Sequence, residues 1–250
     1  MTRFLRAVDP ASEPRPVLHL PGPANPARAP VVAVPGLGLS VEVPAPTLRT
    51  LQPVVGSTVV ALPGYGLPAA RDEAVEPAAL AARLLEQLDT FHMTEAVLLG
   101  HSASCQIVVE AALHDPGRVV GVVLVGPTTD PRSARWSALA VRWLRTAIWE
   151  RPGQVPVLVR DYHRTGLVDM SRAMDAARRH RIDLLLARVA RPVLVVRGYH
   201  DRIAPADWVA FLAERAPLGR AVTLRAGAHM VPITHPTALA AQVEAFPGPH

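Results

Sequence analysis

The sequence predicts an α/β fold in which a mostly parallel, doubly wound sheet carries a helical segment inserted between two of its strands. Three observations lead there. Short apolar runs end in glycine- and proline-rich loops, helical patterns stand between those runs, and one interval, 131–190, holds helical patterns but no strand-like run of comparable strength. With 250 residues the chain is long enough for one sizeable core, and a hydrophobic share of 50% rules against disorder.

The segment before residue 30 is rich in proline, and 4–8 with 17–20 reads as a short antiparallel edge pair, where proline is tolerated. Val31-Val32-Ala33-Val34 is an apolar run closed by Pro35-Gly36-Leu37-Gly38, as expected of a strand buried on both faces and ended by a loop. The same grammar recurs at 58–62, closed by Pro63-Gly64-Tyr65-Gly66, and again at 96–99, Val119–Val125 and 192–196. A last strand fits 221–224. Helical patterns cover 77–88, with proline in the first turn, then 103–113, 206–214 and 236–245.

Inside the interval, helices are expected at 133–150, 155–163 and 171–187. Residues 1–130 and 191–250 then form a core, and 131–190 a helical cap. Ligands of α/β sheets bind outside the carboxyl ends of the strands, over which such a cap would sit. Trp136, Trp143, Trp149 and Tyr162 are therefore candidate pocket residues, equally able to pack the segment onto the body.

The net charge of +5 comes from arginine alone, because the chain has no lysine. The arginines are spread, with one local cluster at Arg178-Arg179-His180-Arg181, and form no long block of like charge, so a nucleic-acid partner is not expected. Apolar stretches such as Val119–Val125 fall far short of the roughly 18 to 20 residues of a membrane span. The basic N-terminus leads into no apolar signal-peptide core. The expectation is a cytoplasmic protein without a membrane partner. A single cysteine, Cys105, makes neither an intrachain disulfide nor a thiolate metal site. H-E-x-x-H, G-x-G-x-x-G and Walker A patterns are absent, so neither metal nor cofactor is expected.

The chemistry gathers around Gly100-His101-Ser102-Ala103-Ser104, a tight turn of small residues between an apolar run and a helical pattern. It approaches G-x-S-x-G, with Ser104 in place of the last glycine. Ser102 in such a turn is presented at the top of a sheet as a nucleophile, although a serine there could also merely cap the helix. Two further residues shift the balance. Asp201 follows the strand that ends at Val196, and His229 follows the strand that ends at Leu224. Serine attack on an acyl carbon requires a base and an acid that orients it, and the order Ser, Asp, His suits a sheet enzyme. Asp130 is an alternative acid and His235 an alternative base, whereas His101 points away from the nucleophile and reads as structural.

Together these segments resemble the α/β-hydrolase superfamily over nearly the whole chain. Pro35-Gly36-Leu37-Gly38 is similar to its oxyanion loop, Pro63-Gly64-Tyr65-Gly66 to the turn after the next strand, and Gly100-His101-Ser102-Ala103-Ser104 to the nucleophile elbow. The 198–205 segment around Asp201 is similar to the acid loop, and Gly227-Ala228-His229 to the histidine loop. The resemblance implies an esterase-like serine hydrolase that cleaves an ester, thioester or related acyl bond of a small, moderately apolar molecule through an acyl-enzyme. Leu37 and Ala103 would supply the oxyanion N–H groups. Acyl transfer, cyclisation, carbon–carbon cleavage and non-catalytic receptors share the fold and stay open at this point. Three positions depart from the family pattern: Pro35-Gly36 replaces His-Gly, Ser104 replaces glycine, and Ala61-Leu62 stands where an acidic residue is common.

Overall fold

The computed structural model describes residues 3–9, 12–24 and 28–246. In chain order the elements are β1 (Arg3–Asp9), β2 (Ser12–Leu20), β3 (Val31–Val34), α1 (Ala45–Leu51), β4 (Ser57–Val60), β5 (Leu62–Pro63), β6 (Gly66–Leu67) and α2 (Pro77–Thr90). Then come β7 (Ala96–His101), α3 (Ser104–His114), β8 (Val119–Val125), α4 (Trp136–Ala147), α5 (Val155–Thr165), α6 (Leu167–Arg179) and α7 (Ile182–Leu185). The chain continues through β9 (Val193–Arg197), α8 (Ala206–Arg215), β10 (Gly219–Thr223), α9 (Val231–Thr234) and α10 (Pro236–Glu244).

Eight strands form one sheet in the order β1-β2-β4-β3-β7-β8-β9-β10, while β5 and β6 make a separate two-stranded ladder. β2 alone runs against the rest, pairing antiparallel with β1 and with β4. The expected N-terminal pair therefore forms and closes one edge. Side chains alternate along the central strands and bury on both faces, as their unbroken apolar runs require. Val32, Val34, Leu98, Leu124 and Val195 pack with Leu80 and Leu84 of α2, Ile107 of α3 and Trp208 of α8. Val31, Ala33, Leu99, Val123 and Val196 pack on the other side with Leu48 of α1 and Leu239 of α10.

Three expectations change at their boundaries. The strand expected at 58–62 stops at Val60, where the chain folds back with Leu62 N–H on Tyr65 O (2.8 Å) and Tyr65 N–H on Leu62 O (2.7 Å). The helix expected at 171–187 is two helices, α6 and α7. They separate because His180 is extended (ψ 136°) and turns its ring to Glu110 Oε1 at 2.7 Å, which lets Ile182 bury completely. The helix expected at 133–150 is a 3-10 turn at Pro131–Ser133 followed by α4, which ends at Ala147. α1 is a helix that the sequence does not announce, since seven residues carry too few turns to show a period. It forms because Ala45, Leu48 and Leu51 are buried.

Between β8 and β9 the described chain holds helices only. Among the described residues no helix is long and apolar enough to cross a membrane.

Candidate active site

Each site loop is built where a buried strand ends. β7 runs into the turn that carries Ser102, whose backbone has φ +60°, the left-handed region that costs a non-glycine residue about 1–2 kcal/mol. That strain is held by its surroundings. Ser102 N–H donates to Val125 O of the neighbouring strand at 2.8 Å. A Cβ on Gly100 would lie 2.8 Å from Ser104 O and 2.9 Å from Cys105 Cα, so strand and helix approach here only because residue 100 is glycine.

Ser104, in place of the pattern's last glycine, is accommodated by its own hydrogen bonds. The side chain is fully buried, its Oγ accepts His101 N–H (2.8 Å), and its hydroxyl faces Val34 O and His101 O (2.9 Å each). The substituted hydroxyl thus ties the elbow to the end of β3.

The loop after β9 brings in Asp201, and the loop after β10 brings in His229. His229 Nε2 lies 2.8 Å from Ser102 Oγ, and His229 Nδ1 lies 2.8 Å from Asp201 Oδ2. The other carboxylate oxygen of Asp201 accepts the N–H groups of Ile203 (2.9 Å) and Ala204 (3.0 Å). With Nδ1 donating to the carboxylate, Nε2 is left to accept the serine proton. Asp201 is wholly buried, and burial alone would raise its carboxyl. His229, the N–H of Ala204 and the Arg197 guanidinium outweigh burial and hold it below the usual carboxylate range. Burial likewise disfavours a charged His229, but Asp201, with Glu150 adding to it, lifts the ring above its ordinary value. Gly126, at φ +56°, leaves room for this pair, since a Cβ there would sit 3.0 Å from His229 Nδ1 and 3.1 Å from Asp201 Oδ2.

The two expected oxyanion donors, Leu37 and Ala103, lie in the loops that follow β3 and β7. Gly38 N–H donates to Gly64 O (2.8 Å) and Leu39 N–H to Gly36 O (3.0 Å), while the N–H groups of Leu37 and Ala103 have no protein acceptor among the described residues. Leu37, Ser102 and His229 open onto one cavity of about 360 Å³. Trp136, Trp143 and Tyr162 line it together with Leu39, Thr128, Leu139, Ala140, Met170, Ser171, Met174, Ile203 and Met230. Its only titratable walls are His229 and the Tyr162 phenol, which burial raises above its ordinary value.

Trp149 departs from the expectation. It does not line the cavity; its ring stacks on His200 of the acid loop, with centroids 3.9 Å apart and planes 5° from parallel. The reason is its place just past the end of α4, where the chain turns toward that loop.

The alternatives are placed elsewhere. Asp130 is buried against Arg132 and Arg142 (2.8 Å each), which overcome the effect of burial and hold its carboxyl below the ordinary range. His235 lies against Thr234 Oγ1 at 3.0 Å. His101 is fully buried, with Nε2 on His229 O (3.0 Å) and Nδ1 unpartnered; burial first, then the neighbouring His229, push it down to about 3. Among the described residues no group of three or more His, Cys, Asp or Glu side chains could hold a metal ion.

A profile described as the alpha/beta hydrolase family matches residues 31–242. The chain belongs to the alpha/beta hydrolase family. No curated protein matches it. Among solved structures, a hydrolase from Pseudomonas aeruginosa is 22% identical with a TM-score of 0.72, over 98% of this chain and 97% of that one. The enol-lactonase from Burkholderia xenovorans is 19% identical (TM-score 0.70; 93% and 96% covered). An esterase from Exiguobacterium antarcticum is 14% identical (TM-score 0.72; 98% of each chain). At these identities the likeness is one of fold.

Several residues of this alpha/beta hydrolase escape sequence reasoning. Arg197, buried at the end of β9, donates to the carbonyls of Ala204 (2.7 Å), Tyr199 (3.1 Å) and Asp201 (2.6 Å) and so shapes the acid loop from beneath. Thr146 and Glu150 belong to the helical segment yet touch the loops that carry Asp201 and His229. An arginine closing a strand offers a faint signal; the other two offer none, because their partners lie more than fifty residues away.

Proposed function

We propose that this alpha/beta hydrolase is a serine hydrolase that cleaves an ester, thioester or related acyl bond of a small, uncharged, largely apolar molecule. The observation that carries the proposal is the unbroken chain Ser102 Oγ to His229 Nε2 (2.8 Å) and His229 Nδ1 to Asp201 Oδ2 (2.8 Å). Ser102 Oγ attacks the acyl carbon while His229 Nε2 takes its proton, and the imidazolium returns that proton to the leaving group. Asp201 holds the ring in the required tautomer and stabilises its charge. The free N–H groups of Leu37 and Ala103 receive the negative charge on the acyl oxygen, and loss of either donor is worth about 100- to 1,000-fold in turnover. Water, activated by the same histidine, resolves the acyl-enzyme.

The helical segment 131–190 acts as a cap that supplies the aromatic side of the cavity through Trp136, Trp143 and Tyr162. The substrate class follows from those walls. No arginine or carboxylate lines this cavity, so nothing in it pairs with a charged acyl chain.

Two measurements test the proposal. A fluorophosphonate probe is expected to add one mass adduct to Ser102, and Ser102→Ala is expected to lose both the adduct and the hydrolysis of p-nitrophenyl butyrate. A folded Ser102→Ala protein that turns over the ester at the wild-type rate overturns it. A folded wild-type protein that takes no label and turns over no acyl substrate points instead to a small-molecule receptor.

A further inference from the structure

One turn of the helical segment holds both loops that carry the partners of Ser102. Thr146, fully buried in the last turn of α4, accepts the N–H groups of Arg202 (3.0 Å) and Ile203 (3.1 Å) from the acid loop through Oγ1. Four residues on, in the turn that follows α4, Glu150 accepts the N–H groups of His229 (2.7 Å) and Met230 (2.9 Å) through Oε1. Its second oxygen, Oε2, accepts Gln154 Nε2 at 2.9 Å. The imidazole of His229 is already committed to Ser102 and Asp201, and its backbone is held from two sides, the carbonyl by His101 Nε2 (3.0 Å) and the N–H by Glu150.

Resting on the serine-hydrolase reading above, we propose that Glu150 is a positioning residue: its carboxylate, carried by the helical segment, holds His229 in line with Ser102 only while that segment is seated on the body. The base and the aromatic walls of the cavity are thereby assembled by the same contact. A hydrogen bond that spans 79 residues and joins a helix terminus to the catalytic backbone forms only in the seated arrangement.

The carboxylate also acts through its charge. His229 is faced by Asp201 from the acid loop, His101 from β7 and Glu150 from the helical segment, and Glu150 adds to Asp201 in raising the ring. Glu150 in turn neighbours Arg151, Tyr162 and His235. Removing the charge at 150 while keeping an acceptor separates the two effects. Glu150→Gln retains an amide oxygen for both backbone N–H groups. Gln154 can accommodate it by an amide flip, because its own Oε1 is buried and unpartnered.

The test combines rates with a direct titration. With p-nitrophenyl butyrate, Glu150→Ala is expected to lower kcat about 10- to 100-fold, the loss that attends removing a charged acceptor from buried N–H groups, with KM changed less than about threefold. Glu150→Gln is expected to keep most of the plateau rate but move the acid limb of the kcat/KM profile to lower pH. In Ser102→Ala protein, which needs no turnover, the imidazole resonance of His229 is expected to titrate at lower pH when Glu150→Gln is added. A wild-type kcat in folded Glu150→Ala protein overturns the proposal, as does a Glu150→Gln plateau rate no higher than that of Glu150→Ala. If the serine-hydrolase reading alone fails, the rates vanish in every variant while the His229 titration still moves.

Discussion

Two histidines with rings 5.0 Å apart are driven in opposite directions, and the difference lies in what each ring nitrogen meets. His229 has a carboxylate at Nδ1 and a hydroxyl at Nε2; His101 has a carbonyl at Nε2 and nothing at Nδ1. A protonated His101 would be a buried charge without a counter-charge in contact, so the ring is pushed from 6.5 to about 3 and stays neutral. Between those values the unfolded chain binds a proton that the folded chain refuses. Stability therefore rises with pH across that window and is lost on acidification from about 6.5 toward 3. In imidazole NMR spectra of the native protein, the His101 resonance is expected to stay flat from pH 8 down to the acid transition, while that of His229 titrates above 6.5. A His101 resonance that titrates near 6.5 in folded protein contradicts this account.

At the scale of elements, the site depends on where strands stop. β7, β9 and β10 each run into a loop that carries one of Ser102, Asp201 and His229, and the helical segment reaches back to hold the loops after β9 and β10. Thr146 shows how much one such contact carries. Thr146→Val keeps the shape but leaves the Arg202 N–H without its acceptor, whereas the Ile203 N–H retains Asp201 Oδ1. The expected loss is about 1–3 kcal/mol, or several degrees of Tm in a chain of this size, with Thr146→Ser close to wild type. Calorimetry on the two variants decides it; equal melting of Thr146→Val and wild type would show that the contact contributes nothing. Contacts of this kind mark what a sequence conceals. Strands β3, β7, β8 and β9 are legible because they are buried on both faces and punctuated by glycine and proline, and the meeting of Ser102, Asp201 and His229 because each lies in the loop that follows an apolar run. The split of α6 from α7 is not legible, since it turns on His180 finding Glu110 seventy positions away. The stacking of Trp149 on His200 is hidden for the same reason: periodicity tells which face a side chain occupies, not which loop will cross it.

On the scale of the whole molecule, the helical segment is hydrogen-bonded to three loops of the site, those after β3, β9 and β10. Asp161 of α5 accepts Ser40 N–H (2.8 Å) beside the Leu37 loop, Thr165 donates to Gly38 O (3.3 Å), and Thr146 and Glu150 hold the acid and histidine loops. Part of the segment's charge goes into these contacts and into ion pairs such as Arg142 with Asp130 and Arg160 with Asp161, while Trp136, Leu139, Trp143, Met170 and Met174 face the cavity. Asp161 and Asp130 are buried against arginines, Arg178 lies over the Trp136 ring at 5.4 Å, and no arginine of the segment lines the larger cavity. Among the described residues no arginine lines the cavity onto which Ser102 opens, and Arg151 lines the adjoining cavity, which His229 and Met230 also border. An acyl chain ending in a carboxylate must then give up its hydration for walls such as Leu139, Met174 and Trp143, with no cation to replace the water. Paired esters of equal length isolate this effect: p-nitrophenyl butyrate against the p-nitrophenyl monoester of succinate. The uncharged ester is expected to have the higher kcat/KM by at least about 100-fold, a loss of the size that follows from leaving a buried charge unpaired. If the cavity selects by charge and not by length, lengthening the neutral chain by two carbons changes kcat/KM far less than adding the carboxylate does. Equal kcat/KM for the butyrate and succinate esters would mean that a cation reaches the acyl chain after all, and the neutral substrate class would fall.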